Sequence, residues 1–239
     1  GLQTYLLTYD IESKIIYCGD IQRDALKTMI ERLNIEISHN EDVKITKNDN
    51  IIIVDGCKSS NNVTNLPGFE IAVIDHHIVP HPDEVPFVQI DEELGSCSTI
   101  ITHYFMDDEL SIPENCATAL TVGISRDTDL LTRKVTDKDI EAFHYLHKFS
   151  DTQTSNSLLR NNIQLSDFEF FNESIKSLKT DNSIAWCYYE NGCDTNLMGI
   201  LGDFILSAQE IDFSILFAQN GDSISISIRN ERQEWSAAQ

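Results

Sequence analysis

Basic residues are scarce in this chain. Its 239 residues include 17 lysines and arginines against 39 aspartates and glutamates, a formal net charge of −22. A general electrostatic grip on a long nucleic-acid duplex needs a basic face and is excluded. A small phosphorylated ligand held through metal ions is not, because carboxylates themselves recruit the metals. Long apolar runs are also missing: none approaches the roughly 20 residues that span a bilayer, so no membrane association is expected. The opening Gly1-Leu2-Gln3-Thr4 lacks the basic start and apolar centre of a secretory signal. The six cysteines, at 18, 57, 97, 116, 187 and 193, form no Cys-x-x-Cys pair. That spacing argues against zinc and for reduced, mostly buried thiols in a cytoplasmic protein. Internal repeats and low-complexity tracts are absent. What remains is an ordinary globular composition, 41% apolar and 23% charged, long enough for one large domain or two smaller ones.

The first half alternates apolar strands with amphipathic helices. Ile15-Ile16-Tyr17 is a short strand, and Leu26, Met29, Ile30 and Leu33 recur at helical spacing. Ile51–Val54 and Ile71–Ile74 are apolar throughout, as strands are in the middle of a parallel sheet covered by helices. Helices are predicted from about Ser98 to Phe105, after Pro113, and from the capping box Thr136-Asp137-Lys138-Asp139 through Leu146. Residues 150–182 are rich in Ser, Asn and Thr and then in Phe, which predicts a linker followed by a connecting helix. Beyond them, Ile184–Tyr189 reads as a strand, and Met198, Leu201, Ile205 and Leu206 as a helix face. Two alternating runs then flank Asn220-Gly221, a hairpin signal. The fold class is therefore α/β, a mainly parallel sheet with helices on both faces, plus a smaller C-terminal α+β domain joined by a linker helix. The expected boundaries are 1–150, 151–182 and 183–239.

Two of the apolar strands run into acids, Val54 into Asp55 and Ile74 into Asp75-His76-His77. In a parallel sheet the C-terminal strand ends share one rim, where ligands bind. Asp55 and Asp75 should therefore converge despite lying far apart in sequence. A third acid, Asp127, follows the apolar stretch Leu120–Ile124. Carboxylate oxygens with imidazole nitrogens suit a divalent ion such as Mn²⁺, and paired metals can activate water for phosphoryl transfer. Any of these acids alone is commonly just a turn or cap residue. Three polar groups together after a buried strand are not so readily explained.

Asp75-His76-His77 after Ile71–Ile74 resembles the motif that names the DHH phosphoesterases. Val54-Asp55 resembles that superfamily's second motif, and Gly123-Ile124-Ser125-Arg126-Asp127-Thr128 its fourth, a glycine-isoleucine turn leading to an Asp-Thr. Gly95-Ser96-Cys97-Ser98-Thr99 resembles the small-residue helix start between them. Gly19-Asp20-Ile21-Gln22-Arg23 is similar to a segment of the RecJ-like branch, which includes nanoRNases, phosphoadenosine-phosphate phosphatases and dinucleotide phosphodiesterases. Ser225-Ile226-Ser227-Ile228-Arg229 resembles the Ser-x-Arg strand of the C-terminal DHHA1 domain.

The resemblance implies metal ligation by Asp55, His76 and Asp127, and catalytic roles for Asp75 and His77. Asp75 would orient His76, and His77 would contact the phosphate or assist proton transfer. Arg229 and Ser227 would bind substrate. Two Mn²⁺ sites are implied, with Mg²⁺ as the alternative ion. The family's first motif, a His and two Asp ligands, is expected upstream of Gly1, which leaves one of the two sites incomplete here. The Gly-Gly-Gly-His element expected after Arg229 is likewise not found. The implied activity is hydrolysis of phosphoester bonds in short oligonucleotides, dinucleotides or nucleoside bisphosphates, with a homodimer left open. A pyrophosphatase or exopolyphosphatase is the rival within enzymes. A metal-poor nucleotide-binding regulatory module is the rival of another class. Base-stacking aromatics would favour nucleotides, and Trp186, Tyr188, Tyr189 and Phe217 are the candidates, with core packing as their competing role.

Overall fold

Of the two continuous apolar runs, Ile71–Ile74 becomes the centre of a parallel sheet, while Ile51–Val54, expected there too, forms an edge of it among the described residues. In the computed structural model, which describes residues 1–21, 24–58, 63–160 and 163–230, β3 (Asn50–Val54), β4 (Phe69–Asp75) and β5 (Phe87–Ile90) pair in that order, all parallel. A second parallel pair, β1 (Ile15–Tyr17) and β2 (Ile37–His39), is joined by helix α2 (Asp24–Arg32). Of the Gly19–Arg23 segment, Gln22 and Arg23 lie outside the described residues, as does the stretch after Asn230.

The period of two along β4 sends neighbouring side chains to opposite faces. Ile74 packs against α3 (Cys97–Asp107), α4 (Glu114–Asp127) and α5 (Asp137–His147), in a core that includes Ile100, Phe105, Ile124 and Leu146. Val73 faces the other way, onto Ile53, Cys57, Val63, Val79 and Val85. The predicted starts of α3 and α5 hold. Ser96 Oγ accepts the Thr99 amide, and Thr136 with Asp139 forms a complete capping box. Helix α1 (Leu2–Leu7) is tied to the end of α3, because the hydroxyls of Tyr5 and Tyr9 both donate to Asp108 Oδ2.

Two local expectations are corrected. Gly123-Ile124 is not a turn but the interior of α4, so Asp127 is the last residue of a helix. Glycine stands there because α3 crosses so closely that a Cβ at 123 would lie 2.1 Å from Ser98 Oγ. Residues Thr152–Arg160, polar enough to read as linker, form helix α6. Asp151 satisfies its first turn by accepting from the amides of Gln153 and Thr154, and Leu158 buries against Val122 and Leu33.

The chain divides into two units, Gly1–Asn162 and Ile163–Gln239. In the second, α7 (Phe168–Ser177) leads into a four-stranded sheet. It is formed by β6 (Lys179–Asp181), β7 (Ile184–Tyr189), β8 (Phe213–Asn220) and β9 (Ser223–Asn230). β7 and β8 are parallel and joined by α8 (Thr195–Leu206), while the outer pairings are antiparallel. Asn220 and Ser223 close the hairpin around Gly221, whose φ of +62° only glycine adopts freely. Along β8 the packed face is the one with the smaller residues, Ser214, Leu216 and Ala218. Helix α8 approaches so closely that a Cβ on Gly202 would lie 3.2 Å from Ser214 Oγ. Tyr189 is fully buried, its hydroxyl paired with Ser174, so its role is core packing. Tyr188, Ile224 and Ile226 remain exposed. Among the described residues no helix is long and apolar enough to cross a membrane.

Candidate metal centre

The sheet register builds the site. Val54 of β3 lies beside Ile74 of β4, which brings Asp55 level with the Asp75 strand end. Asp55 turns the chain with φ at +62°, a region that aspartate tolerates better than most side chains, and its amide donates to the Ile74 carbonyl at 2.9 Å.

Asp75 is fully buried. Its Oδ1 accepts three hydrogen bonds: from the amides of His76 (2.8 Å) and His77 (3.2 Å), and from Nδ1–H of His77 (2.8 Å). The carboxylate thus fixes the turn and the ring of His77. It does not orient the ring of His76, contrary to expectation, because it curls back onto its own turn. His76 Nδ1 lies instead 3.2 Å from the carbonyl oxygen of Leu94. A carbonyl only accepts, so this nitrogen carries the proton and Nε2 is left with its lone pair free. That Nε2 lies 3.4 Å from Asp55 Oδ1, and His77 Nδ1 lies 3.9 Å from the same oxygen. Asp55, His76 and His77 each offer a ligand atom within 4.8 Å of the others, the one such group among the described residues.

Asp127 lines a hollow of about 210 Å³ together with Asp55, Cys97, Ser98, Leu120 and Gly1. It is not part of that three-residue group, but its charge reaches it. Burial, and then the charge of Asp55, push the Asp127 carboxyl above the usual range, while His76, His77 and Arg133 pull it partly back. When His76 is protonated, its Nε2–H donates to Asp55, and this bond holds Asp55 below the usual range against its own desolvation. The same bond raises His76 above the ordinary imidazole value. After Asp127 the backbone is left-handed at Asp129, Leu130 and Leu131 in succession. Each such residue costs about 1–2 kcal/mol. The buried Thr128 helps hold this turn, its hydroxyl donating to the Ile124 carbonyl and accepting from the Leu131 amide.

The donor set fits a divalent transition ion. Asp75 Oδ2 is buried with no hydrogen-bond partner among the described residues. Asp55 and Asp127 repel one another. Two carboxylates that repel one another beside an imidazole lone pair are what a cation relieves. The raised His76 pKa has a consequence for metal binding. Only the neutral ring binds metal, so Mn²⁺ competes with a proton that leaves at a higher pH than from a free imidazole. Titrating Mn²⁺ by calorimetry across pH should show affinity falling as pH drops through the His76 pKa, starting above the ordinary 6.5. In His76→Ala that dependence should vanish along with most of the affinity.

Arg229 and Ser227 lie on β9 in the second unit. Arg229 lies across the glycines of α8, where a Cβ on Gly199 would sit 2.9 Å from its guanidinium, and its Nε is 3.4 Å from Asp203 Oδ1. Ser227 is half-buried. A larger hollow of about 470 Å³ opens at the start of α8, but Asp194 already occupies the helix's first free amides. Sequence reasoning missed Leu94, whose backbone carbonyl holds the His76 ring. A main-chain acceptor leaves no mark on residue type, and the one available signal was the Gly95-Ser96 helix start directly after it.

The model of the DHH family, N-terminal domain, matches residues 4–124, and the chain belongs to this family. An uncharacterized protein of Methanocaldococcus jannaschii is 28% identical over 233 residues, covering 97% of this chain and 48% of its own length. The chain thus spans about half of that relative. A probable manganese-dependent inorganic pyrophosphatase of Oceanobacillus iheyensis is 24% identical over 207 residues, 79% of this chain and 67% of its own. An exopolyphosphatase-related protein from Bacteroides fragilis has the same fold at a TM-score of 0.76, with 18% identity, covering 96% of this chain and 73% of that one. These similarities establish the family and do not single out its RecJ-like branch.

Proposed function

We propose that this protein is a manganese-dependent hydrolase that cleaves phosphoric anhydride bonds in small phosphorylated molecules, with inorganic pyrophosphate as the leading substrate. The reading rests on the Asp55–His76–His77 group at the strand rim, with Asp127 across the same hollow. Pyrophosphate is favoured over a phosphoester by the relatives described as probable manganese-dependent pyrophosphatases, and by the fold shared with an exopolyphosphatase-related protein. The net charge of −22 favours a short anion over a long polyphosphate or oligonucleotide, which would feel the repulsion along its length.

Asp55 and His76 would hold the ion, His76 through Nε2, with Asp127 completing the set from α4. The chemistry such an ion would supply, held by these residues, is a lowered pKa for water and relief of the phosphate's negative charge. The residues of the chain do the rest. Asp75 keeps the proton of His77 on Nδ1, so Nε2 of that half-exposed ring is free to take or share a proton at the phosphate. Leu94 keeps His76 in its metal-ready tautomer. Arg229 and Ser227 are the proposed phosphate contacts of the second unit.

Phosphate release from pyrophosphate, tripolyphosphate, a dinucleotide and adenosine 3′,5′-bisphosphate tests the choice directly. With Mn²⁺ the expected order puts pyrophosphate first, and chelation should abolish turnover. A dinucleotide cleaved faster than pyrophosphate would replace this reading by the phosphoesterase one. Mn²⁺ or nucleotide binding without hydrolysis of any of the four would leave a binding module.

A further inference from the structure

The carboxylate of Asp139 lies at the head of α5, far along the chain from the metal ligands. It is fully buried and accepts more hydrogen bonds than a helix cap requires. Thr136 supplies its amide and hydroxyl (2.9 and 2.7 Å), and the Thr99 hydroxyl donates at 2.5 Å. The Gly95 amide lies 3.1 Å from each of its oxygens. The last contact matters because of what lies on the other side of the same peptide. The amide of Gly95 and the carbonyl of Leu94 belong to one planar unit. That carbonyl accepts the Nδ1 proton of His76 at 3.2 Å.

We propose that Asp139 is a positioning residue for His76, acting through the single peptide unit that joins Leu94 to Gly95. The inference rests on the reading of His76 as a metal ligand through Nε2. A carboxylate on the N–H side fixes the peptide plane and polarises it, so its carbonyl becomes a stronger acceptor. The carbonyl in turn keeps the His76 proton on Nδ1 and aims Nε2 at Asp55. This is the arrangement by which a partner beyond the ligand sets its tautomer and basicity, except that here the partner is a peptide and the charge stands behind it. Burial disfavours the charge of Asp139, but the donors from Thr99, Thr136 and Gly95 outweigh it and hold the carboxyl below its usual range, so the group is ionised at neutral pH.

The test uses the metal-free chain, with imidazole ¹⁵N NMR at a pH where His76 is neutral, followed by Mn²⁺ titration. In the unmodified protein His76 should be in its Nδ1–H form. Asp139→Asn should move it toward a mixture of tautomers and weaken Mn²⁺ binding by about tenfold or more. Thr136→Ala, which removes one donor from the carboxylate but leaves its contacts with Thr99 and Gly95, should lower the melting temperature while shifting tautomer and affinity much less than Asp139→Asn does. Should Asp139→Asn fail to fold, Asp139→Glu keeps a good capping residue and its charge but moves the carboxylate off Gly95, with the same expected shift. A folded variant at position 139 with the original tautomer and original Mn²⁺ affinity would overturn the proposal. Neither readout involves substrate, so a protein that binds Mn²⁺ but hydrolyses nothing would defeat the functional reading without deciding this one.

Discussion

Asp55→Asn should lower manganese-dependent hydrolysis by roughly 10³-fold, since a metal's charge stabilisation is worth several kcal/mol and about 4 kcal/mol is a factor of 10³. This substitution isolates the charge. Asparagine is among the few residues at ease with the left-handed φ of +62° at this position, and its backbone amide still bonds to Ile74. The turn should therefore survive. Two electrostatic effects of opposite sign oppose one another in the metal-free protein. The variant loses the attraction between Asp55 and His76, and it loses the repulsion between Asp55 and Asp127. Its metal-free melting temperature should accordingly stay close to that of the parent. With metal present the two proteins should part. Mn²⁺ at 100 times its Kd stabilises the parent by about 2.7 kcal/mol, and chelation removes this. The variant should show little of either effect. Thermal melts with and without Mn²⁺, alongside pyrophosphate turnover, provide the check. A variant that keeps the parent's metal-induced stabilisation and turnover would remove Asp55 from the centre.

What was legible beforehand was whatever depends on periodicity and on polar residues out of place. Continuous apolar runs identified two neighbouring strands, of which only β4 is inner, and the rim rule placed Asp55 beside Asp75-His76-His77 although neither touches the other in sequence. The α5 capping box was readable because both partners are side chains at fixed spacing. The failures share a cause: tertiary contact overrode local composition. Residues 152–160 look like a linker until Leu158 finds Val122. Gly123 looks like a turn until Ser98 of a neighbouring helix is seen to need its space. The packed side of β8 is another case that residue size does not reveal: the glycines of α8 let the helix settle on Ser214 and Leu216. The support of the His76 ring, expected from Asp75, was hidden for the same reason. His76 is oriented by the main chain of Leu94, and a backbone carbonyl has no signature in residue type.

Gly95→Ala should be a strongly damaging single-methyl substitution near the site. The added Cβ would sit 2.7 Å from the carbonyl oxygen of Lys134, 2.5 Å from a methyl of Thr128 and 3.2 Å from Asp139 Oδ1. A flexible side-chain end can rotate away, but the Lys134 oxygen belongs to the main chain, and Thr128 is fully buried with its hydroxyl engaged in the turn after Asp127. Relief would require the Gly95 loop to part from the start of α5. Overpacking of this kind typically costs 1–3 kcal/mol and sometimes more. Against it stands the gain of about 0.4–1 kcal/mol from restricting the unfolded chain. The clash should win, leaving the variant about 2 kcal/mol less stable, a fall in melting temperature of roughly 4–8 °C for a unit of this size. Gly19→Ala is the contrasting case. Nothing lies within 4 Å of its Cβ, and only its φ of +74° is unfavourable, so about 1–2 kcal/mol is expected. Because any shift of Gly95 carries the Leu94 carbonyl with it, Mn²⁺ affinity should fall together with stability at position 95 and stay unchanged at position 19. Denaturant melts paired with Mn²⁺ titrations would show this coupling. An alanine at 95 that leaves the midpoint where it was would mean the loop can open at no cost, and the rigid support that the His76 ring depends on would then be absent.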